Sequence, residues 1–413
     1  MRISAHQQAR FLQAILKENL LAETDESFHF FDFDLFDSFL NQVKSAMPKA
    51  KHAVAIKTNP LPQVLQHIAE KGFSAEAASF QEVQLALDSG FEAENIIFDG
   101  PAKTQTEILA LKSIAPEVYI NADCLEEADE INALWPEKKL GLRIGFEGKG
   151  SEISSMNVSG QTSKFGEFIK DLDQAVDQIL NRPFIRGLHL HAGSQINDFS
   201  PFVFMLKKGL DLASRVNSKS VNQILNFDIG GGHPVNYKGD PFSFSGFSDL
   251  LKSESPELFN FQVLTEYGRF YHAHAGFTCS RIHRVKNRGK SRQIIVHLGA
   301  DSFLREAYNP EDWYHDMAVA DEQGNLKSGP GMPFDIGGPL CFGGDYLTKN
   351  QDLPNPRKGD YLLISDTGAN TFALWSRHCS RPFPKVIGYK NGEIFILRSQ
   401  EEYREIYNFW KGK

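Results

Sequence analysis

An α/β chain built as a (β/α)8 TIM-like barrel, followed by a C-terminal all-β domain, is the fold that this sequence predicts. Three observations predict it. Between residues 35 and 275 short apolar strands alternate with longer amphipathic stretches, the mark of parallel βα units. Strands are expected at 53–56, 73–77, 95–98, 117–120, 140–144, 185–190, 224–229 and 262–265. Eight strands over about 240 residues match the size of a closed barrel. Polar residues end nearly every strand: Lys57, Glu76 with Ser79, Asp99, Asn121, Arg143, His189 with His191, the run Gly230-Gly231-Gly232, and Glu266. A barrel keeps its active site at that end, whereas an open doubly wound sheet would rarely load every strand this way.

The remaining elements follow in chain order. Residues 11–16 are apolar but are cut short by Lys17 and Glu18, which predicts an amphipathic helix and not a signal peptide. Residues 27–34 read as a strand, and the segment 1–34 is expected to pack with the β domain. Helices are expected at 61–70, 80–88 and 126–134 within the barrel domain, 35–275. Past 276 the pattern becomes β-rich, with strands at 277–285, 292–298, 357–365 and 385–397, defining a domain over 276–413. The stretches 148–160 and 323–338 are expected to be loops inside domains, and the basic run from Arg284 to Arg292 an exposed hairpin.

Composition narrows the function. With 41% hydrophobic and 23% charged residues and a net charge of −8, the chain resembles an ordinary soluble protein. That acidity argues against a nucleic-acid partner, and no apolar run reaches the length of a membrane span. Cys124, Cys279, Cys341 and Cys379 are scattered without metal-ligand spacing, so no metal site is expected and a reduced, cytoplasmic protein fits them best. The 33 phenylalanines read as core and interface material.

Chemistry concentrates at three places. Lys57 ends an apolar strand at the stop Thr58-Asn59-Pro60, and a desolvated amine with a lowered pKa is what Schiff-base formation needs. A lysine at a strand end is more often merely solvated, so the weight rests on its company. In Asp228-Ile-Gly-Gly-Gly-His-Pro234, three glycines let backbone amides approach an anion without a Cβ in the way. The spacing is not that of a dinucleotide fingerprint. The eighth strand ends Glu266-Tyr267-Gly268-Arg269, and barrels favour phosphate sites after strands seven and eight. Charge-assisted hydrogen bonds from Arg269 would contribute about 1.5–3 kcal/mol there.

Taken in order, Ala55-Ile-Lys57-Thr-Asn59, Gly187-Leu-His-Leu-His191-Ala-Gly-Ser194-Gln195, Gly230-Gly-Gly232, Glu266-Tyr-Gly-Arg269 and Gly338-Pro-Leu-Cys341-Phe-Gly-Gly-Asp345 resemble the fold-type III pyridoxal phosphate decarboxylases. These include the diaminopimelate, ornithine and arginine decarboxylases, and the diaminopimelate branch looks nearest. The resemblance spans nearly the whole chain and implies the alanine racemase/decarboxylase type of architecture, with pyridoxal 5'-phosphate as cofactor. It implies that Lys57 bears the cofactor covalently and that His191 stacks on its ring. Ser194, Gly230, Gly231, Gly232, Gly268 and Arg269 would hold the phosphate. Glu266 would pair with the pyridine nitrogen, keeping the ring protonated as an electron sink. Cys341 lies on a loop that in the family enters the partner subunit's site and helps to reprotonate the substrate carbon, which implies a homodimer with composite sites. The motif Lys164-Phe165-Gly166 lies near the site in the family, and Arg305, Tyr308, Phe342 and Asp345 would face a small-molecule amino-acid substrate.

Several positions depart from the family. Tyr267 stands for a proline, and Asn370 for the tyrosine that normally touches the phosphate. Phe342 replaces the glutamate that holds the distal ammonium group of diaminopimelate, and Tyr308 follows Arg305 one residue too soon. The cofactor chemistry looks intact and the substrate pocket rewritten, so the expected reaction is decarboxylation of an amino acid or amino-acid-derived metabolite other than diaminopimelate. Two alternatives stand beside it. A pyridoxal phosphate-dependent racemase of related fold would put arginine at the ring nitrogen, where this chain has Glu266. A non-catalytic, cofactor-binding or regulatory homologue would lose the lysine or the cofactor contacts.

Overall fold

The computed structural model describes residues 1–412 apart from 149, 150, 152, 154, 155, 157, 222, 240 and 290. The chain divides into two compact units: Met1–Phe39, Asn236–Pro241 and Tyr271–Lys413 form one, and Leu40–Val235 with Phe242–Phe270 form the other.

The chain enters through the helix Ala5–Lys17, whose start is fixed by a reciprocal capping box between Ser4 and Gln7. The strand β1, Ser27–Asp32, follows. The second unit then builds the barrel from β2 (Lys51–Ala55), β3 (Ser74–Ala77), β4 (Ile96–Phe98), β5 (Tyr119–Ala122), β6 (Leu140–Gly145), the short β7 (Glu167–Phe168), β8 (Ile185–His189), β9 (Asn226–Asp228) and β10 (Gln262–Tyr267). Neighbours run β5-β4-β3-β2-β10-β9-β8-β6, and β6 returns to β5, so eight parallel strands close on themselves while β7 hangs on β6. All eight predicted strands are present, with ends moved by no more than two residues.

Those strands are short because both faces are covered. β4, for example, is Ile-Ile-Phe with every residue buried. The interior is filled by side chains, as in other barrels. A Cβ at Gly187 would lie 2.2 Å from the Tyr119 hydroxyl oxygen, and one at Gly141 would lie 1.9 Å from Asn121 Oδ1. Glycine on β6 and β8 therefore makes room for the large residues of β5. Three of the barrel helices begin on side-chain caps: Ser79 accepts from Glu82 N–H, Thr104 from Glu107 N–H, and Asp171 from Gln174 N–H.

The first unit continues with β11 (Gly276–Arg281), β12 (Arg284–Arg288), β13 (Ser291–Ile295), β14 (Met317–Ala320), β15 (Met332–Gly337), β16 (Tyr346–Leu353), β17 (Tyr361–Ile364), β18 (Lys385–Lys390) and β19 (Glu393–Arg398). Six strands pair in the order β14-β17-β11-β1-β18-β19, so the N-terminal strand lies in the middle of the sheet. Period-two alternation splits β17 between two cores. Tyr361 and Leu363 join Phe28, Phe30, Phe277 and the helix residues Leu12 and Ile15, while Leu362 and Ile364 join Ile294, Phe334 and Ile336 of the smaller sheet β12-β13-β15-β16. Phenylalanine is dense here because Phe11, Phe30 and Phe277 stack in series, with centroids 4.5 and 4.6 Å apart.

Two expectations need correction or restriction. The stretch 323–338 is not all loop, because β15 lies inside it, pairing with β13 on one side and β16 on the other. Gly331 and Pro333 read as turn signals, yet β15 tolerates them near its start and makes its contacts through Phe334 and Ile336. The predicted loop 148–160 falls partly outside the described residues.

Glycine packing gives a stability test. A Cβ at Gly368 would lie 2.0 Å from the His272 carbonyl oxygen, which is backbone and cannot swing away. Gly368→Ala should cost about 1–3 kcal/mol of apparent stability. Gly246 lies in the helix Phe244–Glu254 with nothing within 4 Å of its Cβ position, so Gly246→Ala should be neutral or stabilising by up to about 1 kcal/mol. Thermal unfolding midpoints that moved alike in both variants would contradict this packing.

Candidate active site

Lys57 does not end the strand itself. β2 stops at Ala55, and Ile56–Thr58 forms a single 3-10 turn that lifts Lys57 to the barrel mouth. Its Nζ donates to both Glu76 oxygens, at 2.7 and 2.5 Å, while 53% of its side-chain surface stays exposed. Glu76 arrives by register, since it pairs with Ala55 across β2 and β3.

Register also assembles the opposite wall. Arg143, His189 and Asp228 are direct partners across β6, β8 and β9, and so stand level on one face of the sheet. His189 is fully buried, with Nε2 3.2 Å from Glu266 Oε2 and Nδ1 4.0 Å from Asp99 Oδ2. Glu266 comes from β10, is buried, and its Oε1 has no hydrogen-bond partner. Donor atoms of His189, His191 and Glu266 all lie within 4.8 Å of one another.

So many acids in one place shift one another. Burial, then the charge of Asp99, pushes the Glu266 carboxyl up to about 8. Burial, then Glu266, raises Asp228 well above the usual range, and burial with Asp99 does the same to Glu76. For Asp99 burial acts upward too, but Lys57, the Glu76 hydrogen bond and Arg143 outweigh it and hold the group down. Desolvation followed by Arg143 keeps His191 neutral, and desolvation is also the main reason His189 lies low. Lys57 departs from the sequence expectation of a lowered amine. Desolvation pulls it down, but Glu76, Asp99 and Glu266 together raise it above its ordinary value.

The glycine run is demanded first by the chain's own walls. Gly230 and Gly232 have φ of 62° and 104°. A Cβ at Gly231 would lie 2.4 Å from the Glu266 carbonyl oxygen. Gly230 N–H donates to Asp228 Oδ1 at 2.8 Å, and Gly231 N–H to His191 Nδ1 at 3.0 Å, which fixes the histidine ring. Nearby, Arg269 Nε lies 3.4 Å from Ser194 Oγ. Gly268 lets this turn pass Thr58, whose Oγ1 would be 2.1 Å from a Cβ there. Tyr267, the residue in place of a proline, is buried with its ring edge-on to Phe244 at 5.1 Å. Gly166 N–H donates to Asp123, and Phe165 lies under the Arg143 guanidinium at 4.5 Å.

The remaining candidates belong to the other unit. Cys341 is exposed, and its backbone N–H points at Cys379 Sγ, 3.5 Å away. Phe342 stacks on Tyr308, with centroids 6.1 Å apart at 20°, and meets His378 edge-on at 6.0 Å. Arg305 lies over the Trp313 ring at 5.0 Å. Asn370 has a φ of 55°, a left-handed conformation that asparagine tolerates. Asp345 is buried and accepts from Ala300 N–H at 2.7 Å and Leu340 N–H at 2.6 Å, so its carboxylate closes the loop rather than facing outward.

The model of the pyridoxal-dependent decarboxylase pyridoxal-binding domain matches residues 35–273. The chain belongs to that family. It is a pyridoxal phosphate-dependent carboxy-lyase acting on an amino-acid-type substrate. Among curated relatives, the diaminopimelate decarboxylase of Aquifex aeolicus is 28% identical over 370 residues, covering 87% of this chain and 86% of that one. The Archaeoglobus fulgidus diaminopimelate decarboxylase is 27% identical over 387 residues, 90% of each. In fold, the decarboxylase matches the Helicobacter pylori diaminopimelate decarboxylase crystallised with L-lysine at a TM-score of 0.85 and 22% identity, over 96% of this chain and 99% of that one. It also matches the Paramecium bursaria Chlorella virus arginine decarboxylase at 0.79 and 19%, over 92% and 99%. Among the described residues no helix is long and apolar enough to cross a membrane.

The residues at the barrel mouth fit the family's cofactor. The unpartnered Glu266 Oε1 offers an acceptor to a ring nitrogen, and Lys57 offers an amine on the same rim. Sequence reasoning placed Glu76, Asp99, Arg143 and His189 at the active-site end of the barrel but gave them no individual role, and it quoted Asp228 only as the start of the glycine run. Their signal was a charged or imidazole side chain inside an otherwise apolar run.

The raised Lys57 amine gives a direct test. Only the unprotonated amine adds to a carbonyl, so labelling of the apoprotein with pyridoxal phosphate and borohydride should rise with pH and map to Lys57. Glu76→Gln removes the strongest support for the charged form. It should therefore shift that profile to lower pH. A label on another lysine, or an unmoved profile, would contradict the assignment.

Proposed function

We propose that this decarboxylase acts on an amino acid or amino-acid-derived metabolite whose distal end is less cationic than that of diaminopimelate, or is differently placed. The observation carrying this is Phe342. It follows Cys341 where the diaminopimelate branch has an ammonium-binding glutamate, and its ring stacks on Tyr308. The nearest carboxylate on the same loop, Asp345, is already engaged by two backbone amides. An ammonium group buried there would keep its desolvation cost, and a cation–π contact would return only about 0.5–2 kcal/mol.

In this reading Lys57 would anchor the cofactor through Nζ, and His191, its ring fixed by Gly231 N–H, would pack against it. Ser194, Arg269, Gly230–Gly232, Gly268 and Asn370 would hold its phosphate. When bound, pyridoxal phosphate supplies an electron-poor ring that takes up the electron pair left as carbon dioxide departs. Glu266 holds a proton at the ring nitrogen through Oε1, and stabilises most when negative charge enters the ring. Glu76 holds the Lys57 ammonium whenever the amine is free. Cys341 gives a proton to the substrate carbon in the neighbouring subunit's site, which makes the functional unit a homodimer, and its exposure in the single chain supports that role. Arg305 and Tyr308 contact the substrate. The free cysteines suit a cytoplasmic setting.

Two measurements test the proposal. meso-Diaminopimelate should be turned over poorly beside shorter or acylated analogues, and Phe342→Glu should shift preference toward it by about tenfold or more, the value of one charge-assisted contact. Efficient turnover of diaminopimelate by the unmodified protein would defeat the substrate reading. Mixing inactive Lys57→Ala with inactive Cys341→Ala should restore activity, because one site of the mixed dimer is intact. Confirmed subunit exchange without recovery would defeat the shared site.

A further inference from the structure

Glu266 has a second neighbour that the decarboxylation reading leaves unused. His189 is fully buried on β8, two residues before the proposed ring-stacking His191. Its Nε2 lies 3.2 Å from Glu266 Oε2, an ion-pair distance, and neither ring nitrogen has an aligned hydrogen-bond partner among the described residues, so a small turn of either side chain would complete the contact. A buried imidazole without a role would be costly, and this one points at the carboxylate on which the electron sink depends.

We infer that His189 is a positioning residue for the ring-nitrogen contact: its Nε2–H holds Glu266 through Oε2 and leaves Oε1 to the cofactor. The inference rests on the assignment of Glu266 to the pyridine nitrogen.

Geometry decides where the imidazole proton goes. At 4.0 Å, Asp99 is too far from Nδ1 to accept a hydrogen bond, whereas 3.2 Å to Glu266 is within reach of Nε2. Once the ring nitrogen of the holoenzyme holds the proton, Glu266 is anionic, and a bare lone pair on Nε2 would face that charge, so the single proton of the neutral imidazole belongs in that gap. With Oε2 occupied, Oε1 becomes the open acceptor, and it is the atom left without a partner. The surroundings keep the ring neutral. His189 faces Asp99 from the end of β4, Arg143 from β6, Asp228 from β9 and Lys57 from the turn after β2, and burial outweighs these mixed charges. An N–H donor to Glu266 opposes burial and the Asp99 charge, which otherwise favour the protonated carboxyl. Without it the shared proton moves from the ring nitrogen toward Glu266, and the electron sink weakens.

The test uses resting holoenzyme carrying pyridoxal phosphate labelled with nitrogen-15 in its ring, so no substrate is needed. Nitrogen NMR separates a protonated from a neutral ring nitrogen. His189→Gln places an amide N–H near the Nε2 position, whereas His189→Asn replaces only the Nδ1 side. Both keep a polar group in the barrel. The unmodified protein and His189→Gln should show the protonated signal, and His189→Asn should shift toward the neutral one. Identical signals in both variants would overturn the inference. Glu266→Gln separates the two readings: if it leaves the signal protonated, the Glu266 assignment fails; if it shifts the signal and His189→Asn does not, only the role of His189 fails. The unmodified protein with nitrogen-15 histidine gives a readout that needs no variant. His189 should carry its proton on Nε2, and a proton on Nδ1 alone would overturn the inference.

Discussion

An excess of buried negative charge at the barrel mouth is the constraint on which the site depends. Glu76, Asp99, Asp228 and Glu266 face Lys57 and Arg143, with both histidines held neutral. Carboxylates taken out of water cost several kcal/mol each unless they are paired or keep a proton. Both remedies operate here. Lys57 is held charged by its acids, and Glu266 keeps a proton to about pH 8. The lysine is thus stored in its paired, less nucleophilic form, and the proton suited to a pyridine nitrogen is already in place near neutral pH.

The barrel makes this arrangement precise without long-range coordination. Parallel strands in fixed register set Arg143, His189 and Asp228 side by side, and place Glu76 beside the end of β2. Glycines in the run after β9 then bring backbone against His191 and Glu266, where any Cβ would collide. Rigid elements carry each charge, so the shifts follow from position alone.

Much of this was legible in the sequence because buried parallel strands are short apolar runs, and a polar residue closing such a run is conspicuous. Lys57, His191 and Glu266 stood out that way, and all eight barrel strands with them. What was hidden depends on three-dimensional company. The sign of the Lys57 shift needed Glu76, nineteen residues away in sequence, at 2.7 Å. The part taken by Asp345 could not be read from its loop alone, because its partner Ala300 lies 45 residues away in sequence. β15 itself was masked by Gly331 and Pro333, whose turn propensity is overridden by a strand on each side.

This charge arrangement serves loss of carbon dioxide and not inversion at the α-carbon. Incubating the holoprotein in deuterium oxide with amino acids that differ in chirality and distal charge tests it most directly, with carbon dioxide and deuterium at the α-carbon followed together. Carbon dioxide should be released, with an amine product carrying one deuterium at the former α-carbon. Deuterium entering, or chirality inverting, at an α-carbon that keeps its carboxylate, with no carbon dioxide released from any substrate, would contradict it.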